Sequence, residues 1–219
     1  MIVRFFKALL MGGLLTVIGG CESTPPAITQ PAAIAPSASI APSTFNSNRR
    51  PTFSGGLSLP DRVVYNQKDE RWAHHKLGKT SDNLGQDGCL VTATAMALTN
   101  LGFQTDPADL NARLTRADGF TQRGWLIWSG IETVTQGRAH ARYYDSVSED
   151  IIQGCLRDGY YPLARFYLPN GRSHWSMIVS QSEQGFHMRD PLRVSRVPLI
   201  FPRGTDAFKA VRCVGLKRA

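Results

Sequence analysis

Only part of this 219-residue chain has the composition of a folding unit, and Cys21 marks where the division begins. Ahead of it, Arg4 and Lys7 precede a mostly apolar stretch over residues 8–18. A basic front and an apolar stretch of this size have the layout of a secretory signal. The stretch is too short for a membrane span, which takes about 20 apolar residues. Residues 22–60 are dominated by Ser, Thr, Pro, Ala, Ile and Asn, with no apolar repeat at period 2 or 3.6. Such a segment buries too little surface to offset its ordering entropy and is expected to be a disordered tether. Its 39 residues would reach on the order of 35 Å as a flexible coil and about 120 Å as polyproline II. What remains to fold is residues 61–219, the size of one domain.

The apolar stretch ends in Val17-Ile18-Gly19-Gly20-Cys21, which resembles a bacterial lipobox. That resemblance implies a signal peptide over residues 1–20, a lipid on Cys21, and a tethered protein anchored to a membrane. Position 22 is Glu rather than the Asp that commonly marks inner-membrane retention, so the expected address is the outer membrane, facing the periplasm. The alternative is an uncleaved N-terminal anchor with an incidental cysteine. Both readings place the domain outside the cytoplasm, and neither leaves Cys21 for catalysis.

Charge narrows the partners. The full chain is +8, and loss of Arg4 and Lys7 with the signal leaves +6. The excess is late: eight Arg and Lys residues between 189 and 218 face only Asp190 and Asp206. A nucleic-acid reader would gather such charge on a motif with aromatics interleaved, and none is present, so no nucleic-acid partner is expected. Attraction to anionic lipid or cell-envelope polymers stays open beside a merely solvated basic face. Neither HExxH nor CxxC spacing accompanies any histidine or cysteine, so no metal and no cofactor are expected.

With Cys21 assigned to lipid, Cys89, Cys155 and Cys213 remain, an odd number for a disulfide-permissive compartment. Cys155 lies in a helix expected over 149–158, opened by Ser148 and closed by Gly159, and Cys213 lies in the apolar run 210–216. A Cys155–Cys213 disulfide with Cys89 free is the expected pairing. Cys89 follows the glycine-bearing loop Asn83-Leu-Gly-Gln-Asp-Gly88 and precedes an Ala-rich stretch, 90–101, that is apolar nearly all round and stops at Gly102. That pattern predicts a buried helix with Cys89 at its start, where the macrodipole and unpaired N–H groups favour a thiolate. A small buried cysteine packed like alanine is the plainer alternative.

Strands are expected over 160–168, 174–180 and 185–189, the first two joined by a turn at Pro169-Asn170-Gly171. His174 opens the second strand and Asp190 follows the third. In an antiparallel sheet the two can lie side by side, so that a cysteine packed across from them completes nucleophile, base and orienting residue.

Tyr65-Asn-Gln-Lys-Asp-Glu-Arg-Trp72, Gly88-Cys89-Leu-Val-Thr-Ala-Thr-Ala-Met96, Gly159-Tyr-Tyr-Pro162, His174-Trp175 and Asp190-Pro191 together resemble the papain-like double-glycine peptidases, which trim bacteriocin leader peptides. The resemblance spans about residues 61–195. It implies an α+β papain-like fold, with a central helix bearing Cys89 packed on an antiparallel sheet bearing His174 and Asp190. Carried over by residue, Cys89 is the nucleophile, His174 the general base and then acid, and Asp190 the residue orienting His174. Such enzymes place an oxyanion-hole Gln about six residues before the nucleophile. Here that position is Asn83, while Gln86 lies three before it, and either amide could donate, with Gln86 slightly favoured.

The implied function is thiol-dependent hydrolysis of a peptide or amide bond in a peptide or protein substrate. A cell-wall amidase or acyl-transferase with the same triad, and a catalytically silent peptide-binding lipoprotein, are the alternatives. His74, His75 and His140 carry no motif, His187 is a secondary candidate for the base, and Trp125 and Trp128 are expected in the core.

Overall fold

The computed structural model describes residues 57–201 and 206–218. Cys21, the signal and the tether up to residue 56 lie outside the described residues. Among the described residues no helix is long and apolar enough to cross a membrane.

An antiparallel sheet of seven strands forms one layer and a buried helix packs against it. In chain order the elements are β1 (Leu57–Ser58), α1 (Leu84–Asp87), α2 (Cys89–Asn100), α3 (Pro107–Arg116), α4 (Ser129–Val134), β2 (Ala139–Tyr143), α5 (Glu149–Arg157), β3 (Tyr161–Tyr167), β4 (Ser173–Ser182), β5 (Gly185–Arg189), β6 (Leu199–Phe201) and β7 (Ala210–Leu216). The sheet runs β2-β7-β3-β4-β5-β6, and β1 pairs with β4. Every pairing is antiparallel, which makes the fold an α+β mixture of helices with an antiparallel sheet.

The fold begins before Asp61. Leu57 and Ser58 pair with Gln181 and Ser180 of β4, and the Leu59 amide donates to Val179 O at 2.8 Å. Leu59 is buried and the Tyr161 hydroxyl holds Pro60 O at 2.6 Å, so the boundary expected at 60/61 moves N-terminal. A two-residue strand is too short to raise a periodic signal of its own. Just beyond it Asp61 forms a fork-on-fork ion pair with Arg189 at the end of β5, 2.6–3.0 Å across three contacts.

α2 owes its place to its composition. Alanines at 93, 95 and 97 let the backbone lie close on the sheet, while Val91, Met96 and Leu98 fill the core on either side. A helix apolar all round has no solvent face to keep and becomes central. Its main partner is β4. α5 starts at Ser148, whose hydroxyl accepts from Ile151 N, and ends where Gly159 turns into the left-handed region at φ +81°.

β7, the last strand, inserts between β2 and β3. It carries Cys213, which is joined to Cys155 of α5 by a disulfide of 2.08 Å with Cα atoms 6.1 Å apart. The bond ties the last strand to the helix across a separation of 58 residues. Cys89 is free.

Candidate active site

The loop ahead of Cys89 is fixed by its own backbone bonds. Trp72, buried at 1 % exposure, donates its indole N–H to Asn66 O at 2.8 Å and meets Tyr65 edge-on. Gly85 N donates to Ala73 O and Leu84 N to His75 O, which seats α1 on the preceding turn. Asn83 caps α1, its side chain accepting from Gln86 N at 3.0 Å. Gly88 joins the two helices where no side chain fits: a Cβ there would stand 2.4 Å from Leu84 O. α2 therefore starts at once with Cys89, half-buried at its first turn.

His174 and Asp190 come from neighbouring strands. His174 is the second residue of β4, 2 % exposed, and Asp190 follows β5 directly, 9 % exposed. Their side chains meet with Nε2 2.6 Å from Oδ1. Leu192 N also donates to that oxygen at 2.9 Å, which fixes the carboxylate. Phe166, opposite His174 on β3, presents its ring edge-on to the imidazole at 5.4 Å.

The imidazole also interacts with Cys89. Burial by itself would discharge His174, but hydrogen bonds to Asp190 and to Cys89, with the charge of both, overcome it and raise its pKa to about 9. Burial likewise opposes the charge of Asp190, and the hydrogen bond and charge of His174, followed by Leu192 N and Arg193, hold its pKa below the ordinary carboxylate value. The structure thus joins His174 to Asp190 and places Cys89 and His174 in the wall of one cavity.

That cavity has a volume of about 660 Å³. Gln86 lines it but is exposed, and its carbonyl accepts from Arg172 at 3.0 Å. Asn83, whose Oδ1 accepts the cap bond, is not in the wall. A third amide is: Gln67, buried at 2 %, lines the same cavity. One N–H of its Nε2 donates to Gly85 O at 3.0 Å, its backbone N–H donates to Pro191 O beside Asp190, and its Oε1 is buried with no partner. Gln67 lies 22 residues before Cys89, too far for any local spacing to link the two. It stands in the Tyr65–Trp72 run that carries part of the resemblance, which is its sequence signal.

Trp125 and Trp128 both line the cavity; Trp128 also packs against the core, as expected of it, whereas Trp125 does not. A bridge between Phe120 and Leu126 turns Leu126 inward and leaves Trp125 outside at 64 % exposure, with Arg123 over its ring at 5.5 Å. Trp128 packs edge-on against Trp175, 5.6 Å between ring centres. His187 is bonded to Ser182 Oγ at 2.8 Å and lies outside the cavity wall. His74 and His75 stack edge-on against each other, and His140 packs on Tyr160. Among the described residues no three His, Cys, Asp or Glu side chains are grouped as a metal would need. The basic C-terminal stretch is dispersed over separate partners, with Arg189 on Asp61, Lys217 on Glu132 and Arg218 on Asp158.

No protein-family model matches this sequence, and no curated protein does. Among solved structures, the chain is similar to a crystal structure described as a candidate C39-like peptidase from Bacillus anthracis. The identity is 15 % and the TM-score 0.53, over 76 % of this chain and all of the other. The likeness is one of fold: the chain has a C39-peptidase-like arrangement of helix and sheet.

Proposed function

We propose that this protein is a thiol hydrolase of peptide or amide bonds, with Cys89 as nucleophile, His174 as its proton partner and Asp190 as the residue that orients His174. The observation that carries the reading is the buried His174–Asp190 contact at 2.6 Å, with Cys89 at the start of α2 in the same cavity wall as His174. A His174 held protonated to about pH 9 faces Cys89 as an imidazolium over the whole neutral range. It favours thiolate at the sulfur and is charged to protonate a leaving amine. Attack of sulfur on the carbonyl carbon forms the C–S bond, and collapse expels the amine with the His174 proton. His174, now neutral, deprotonates water for attack on the acyl-thioester, and collapse returns the pair to thiolate and imidazolium. Backbone N–H groups at the start of α2 and the second N–H of Gln67 Nε2 are the proposed stabilisers of the oxyanion, with the exposed Gln86 the second choice.

The fold likeness supports a peptidase-like hydrolase over a silent peptide binder. The lipobox-like Val17–Cys21 run supports an envelope lipoprotein on the outer membrane, its domain facing the periplasm on the tether, with peptide-bearing material as substrate. Incubating the domain with a tryptic digest of periplasmic protein and reading new termini by mass spectrometry tests the activity. New termini are expected with the native chain and none with Cys89→Ala. Identical digests from both would contradict the hydrolase reading.

A further inference from the structure

The cavity over Cys89 does not end at the proposed triad. Trp128, Arg165 and Trp175 line it and also line a second, open cavity of about 630 Å³. Two arginines, Arg165 of β3 and Arg212 of β7, stand in the wall of that second space. The register pairs Arg165 with Ala210 and Leu163 with Arg212, which sets the two arginines diagonally on one face of the sheet. Diagonal neighbours of this kind are within reach of long side chains.

Both guanidinium groups are incompletely satisfied. The Nε of Arg165 and the Nε of Arg212 are buried with no hydrogen-bond partner. Arg212 is held in place by donating to Tyr144 O at 3.4 Å and Val211 O at 2.8 Å, and by lying 4.9 Å over the Tyr143 ring. The Arg165 guanidinium has neither an ion pair nor a hydrogen bond to any described residue. A buried N–H without an acceptor is costly, and a guanidinium presents a fork that matches a carboxylate. Asp145 and Asp206 also border this cavity, but both are exposed and neither bonds to Arg165 or Arg212. Trp128 and Trp175 form an aromatic wall between this place and Cys89.

We propose that Arg165, with Arg212 beside it, is an anion subsite that takes a carboxylate of the peptide substrate, so that the protein selects acidic peptides. This rests on the hydrolase reading for its substrate but not for its binding. The carboxylate can come from an acidic side chain or from a peptide's C-terminus, and the chemistry of recognition is the same.

The test is affinity selection on the Cys89→Ala protein with synthetic octapeptides randomised at seven positions. One set carries a fixed Glu and an amidated C-terminus, a second a fixed Gln and an amidated C-terminus, and a third a fixed Gln and a free C-terminal carboxylate. Retained peptides are counted by mass spectrometry. The expected result is retention of one carboxylate set over the amidated Gln set by roughly tenfold or more, the size of a hydrogen-bonded charge pair. Preference for the first set names a side chain as the source, and preference for the third names the C-terminus. The preference should vanish in Arg165→Gln and weaken in Arg212→Gln. Equal retention of all three sets, or a preference unchanged in both variants, overturns the proposal, and the comparison of sets stands on its own if a variant fails to fold. The same peptides given to the native chain separate the two readings. A preference without hydrolysis removes the hydrolase and keeps the subsite, and hydrolysis without preference does the reverse.

Discussion

His174 is the residue on which the proposed chemistry turns, because it is bonded to Asp190 and shares a cavity wall with Cys89. Its pKa lies at about 9 in the fold, above the roughly 6.5 of a free imidazole. The raised value contributes stability that is complete below the unfolded pKa and is lost as pH rises through the folded one. Activity should follow the same sign. If the imidazolium is the acid of the first step, kcat/KM falls on the alkaline side with an apparent pKa near 9. Asp190→Asn removes the hydrogen bond and charge that raise it, so the alkaline limb should move to lower pH, as a pH–rate profile would show. An unmoved limb would place the titrating group elsewhere. Gln67 supports a second expectation at this scale. Its replacement by Ala should lower kcat by about 10²–10³, the usual loss of one oxyanion donor, with a smaller loss for Gln86→Ala. Steady-state kinetics of the two variants decides between the amides.

At the scale of elements, the α1–α2 junction positions the sulfur, and Gly88 is its pivot. A methyl group there meets backbone at 2.4 and 2.7 Å, so Gly88→Ala must push α1 off its seat. A loss of about 1–3 kcal/mol is expected, as for other overpacked sites, along with a loss of activity greater than the stability change explains. Denaturant unfolding beside kinetics measures both. The Cys155–Cys213 bond closes a loop of 58 residues, worth about 4 kcal/mol in the chain-entropy model. Double replacement by Ser should therefore lower Tm by roughly 10 °C while leaving Cys89 chemistry intact. Elements with a strong period or a cap were legible in the sequence. The helix expected over 90–101 is α2 at Cys89–Asn100, and the strand expected over 185–189 is β5 at Gly185–Arg189. β2 and the seat of β7 between β2 and β3 were not legible. Strand order depends on pairing over long sequence separations, which no local pattern records. The outward turn of Trp125 escaped for the same reason, since it follows from a bridge between Phe120 and Leu126.

At the scale of the whole molecule, what was legible of the candidate site was where its residues lie in the fold: a histidine at a strand mouth, a cysteine at a helix start and an acid after β5. Gln67 and Arg165 were not, because each gains meaning only from the cavity that other segments build around it. The Pro- and Ser-rich stretch after Cys21 belongs to this scale as well. If it gives the domain reach from a membrane, shortening residues 26–55 should leave hydrolysis of a small soluble peptide unchanged and reduce processing in intact cells. Unchanged processing in cells would refute reach and leave the cysteine chemistry untouched. The claim at the centre of the account is that His174 activates Cys89, and alkylation of Cys89 by iodoacetamide at pH 6 tests it most directly. An ordinary thiol, with a pKa near 8.5, reacts slowly at that pH. The account predicts rapid labelling of Cys89 in the native chain and sharply slower labelling in His174→Ala, with the peptide identified by mass spectrometry. Equal labelling rates in the two proteins would contradict it.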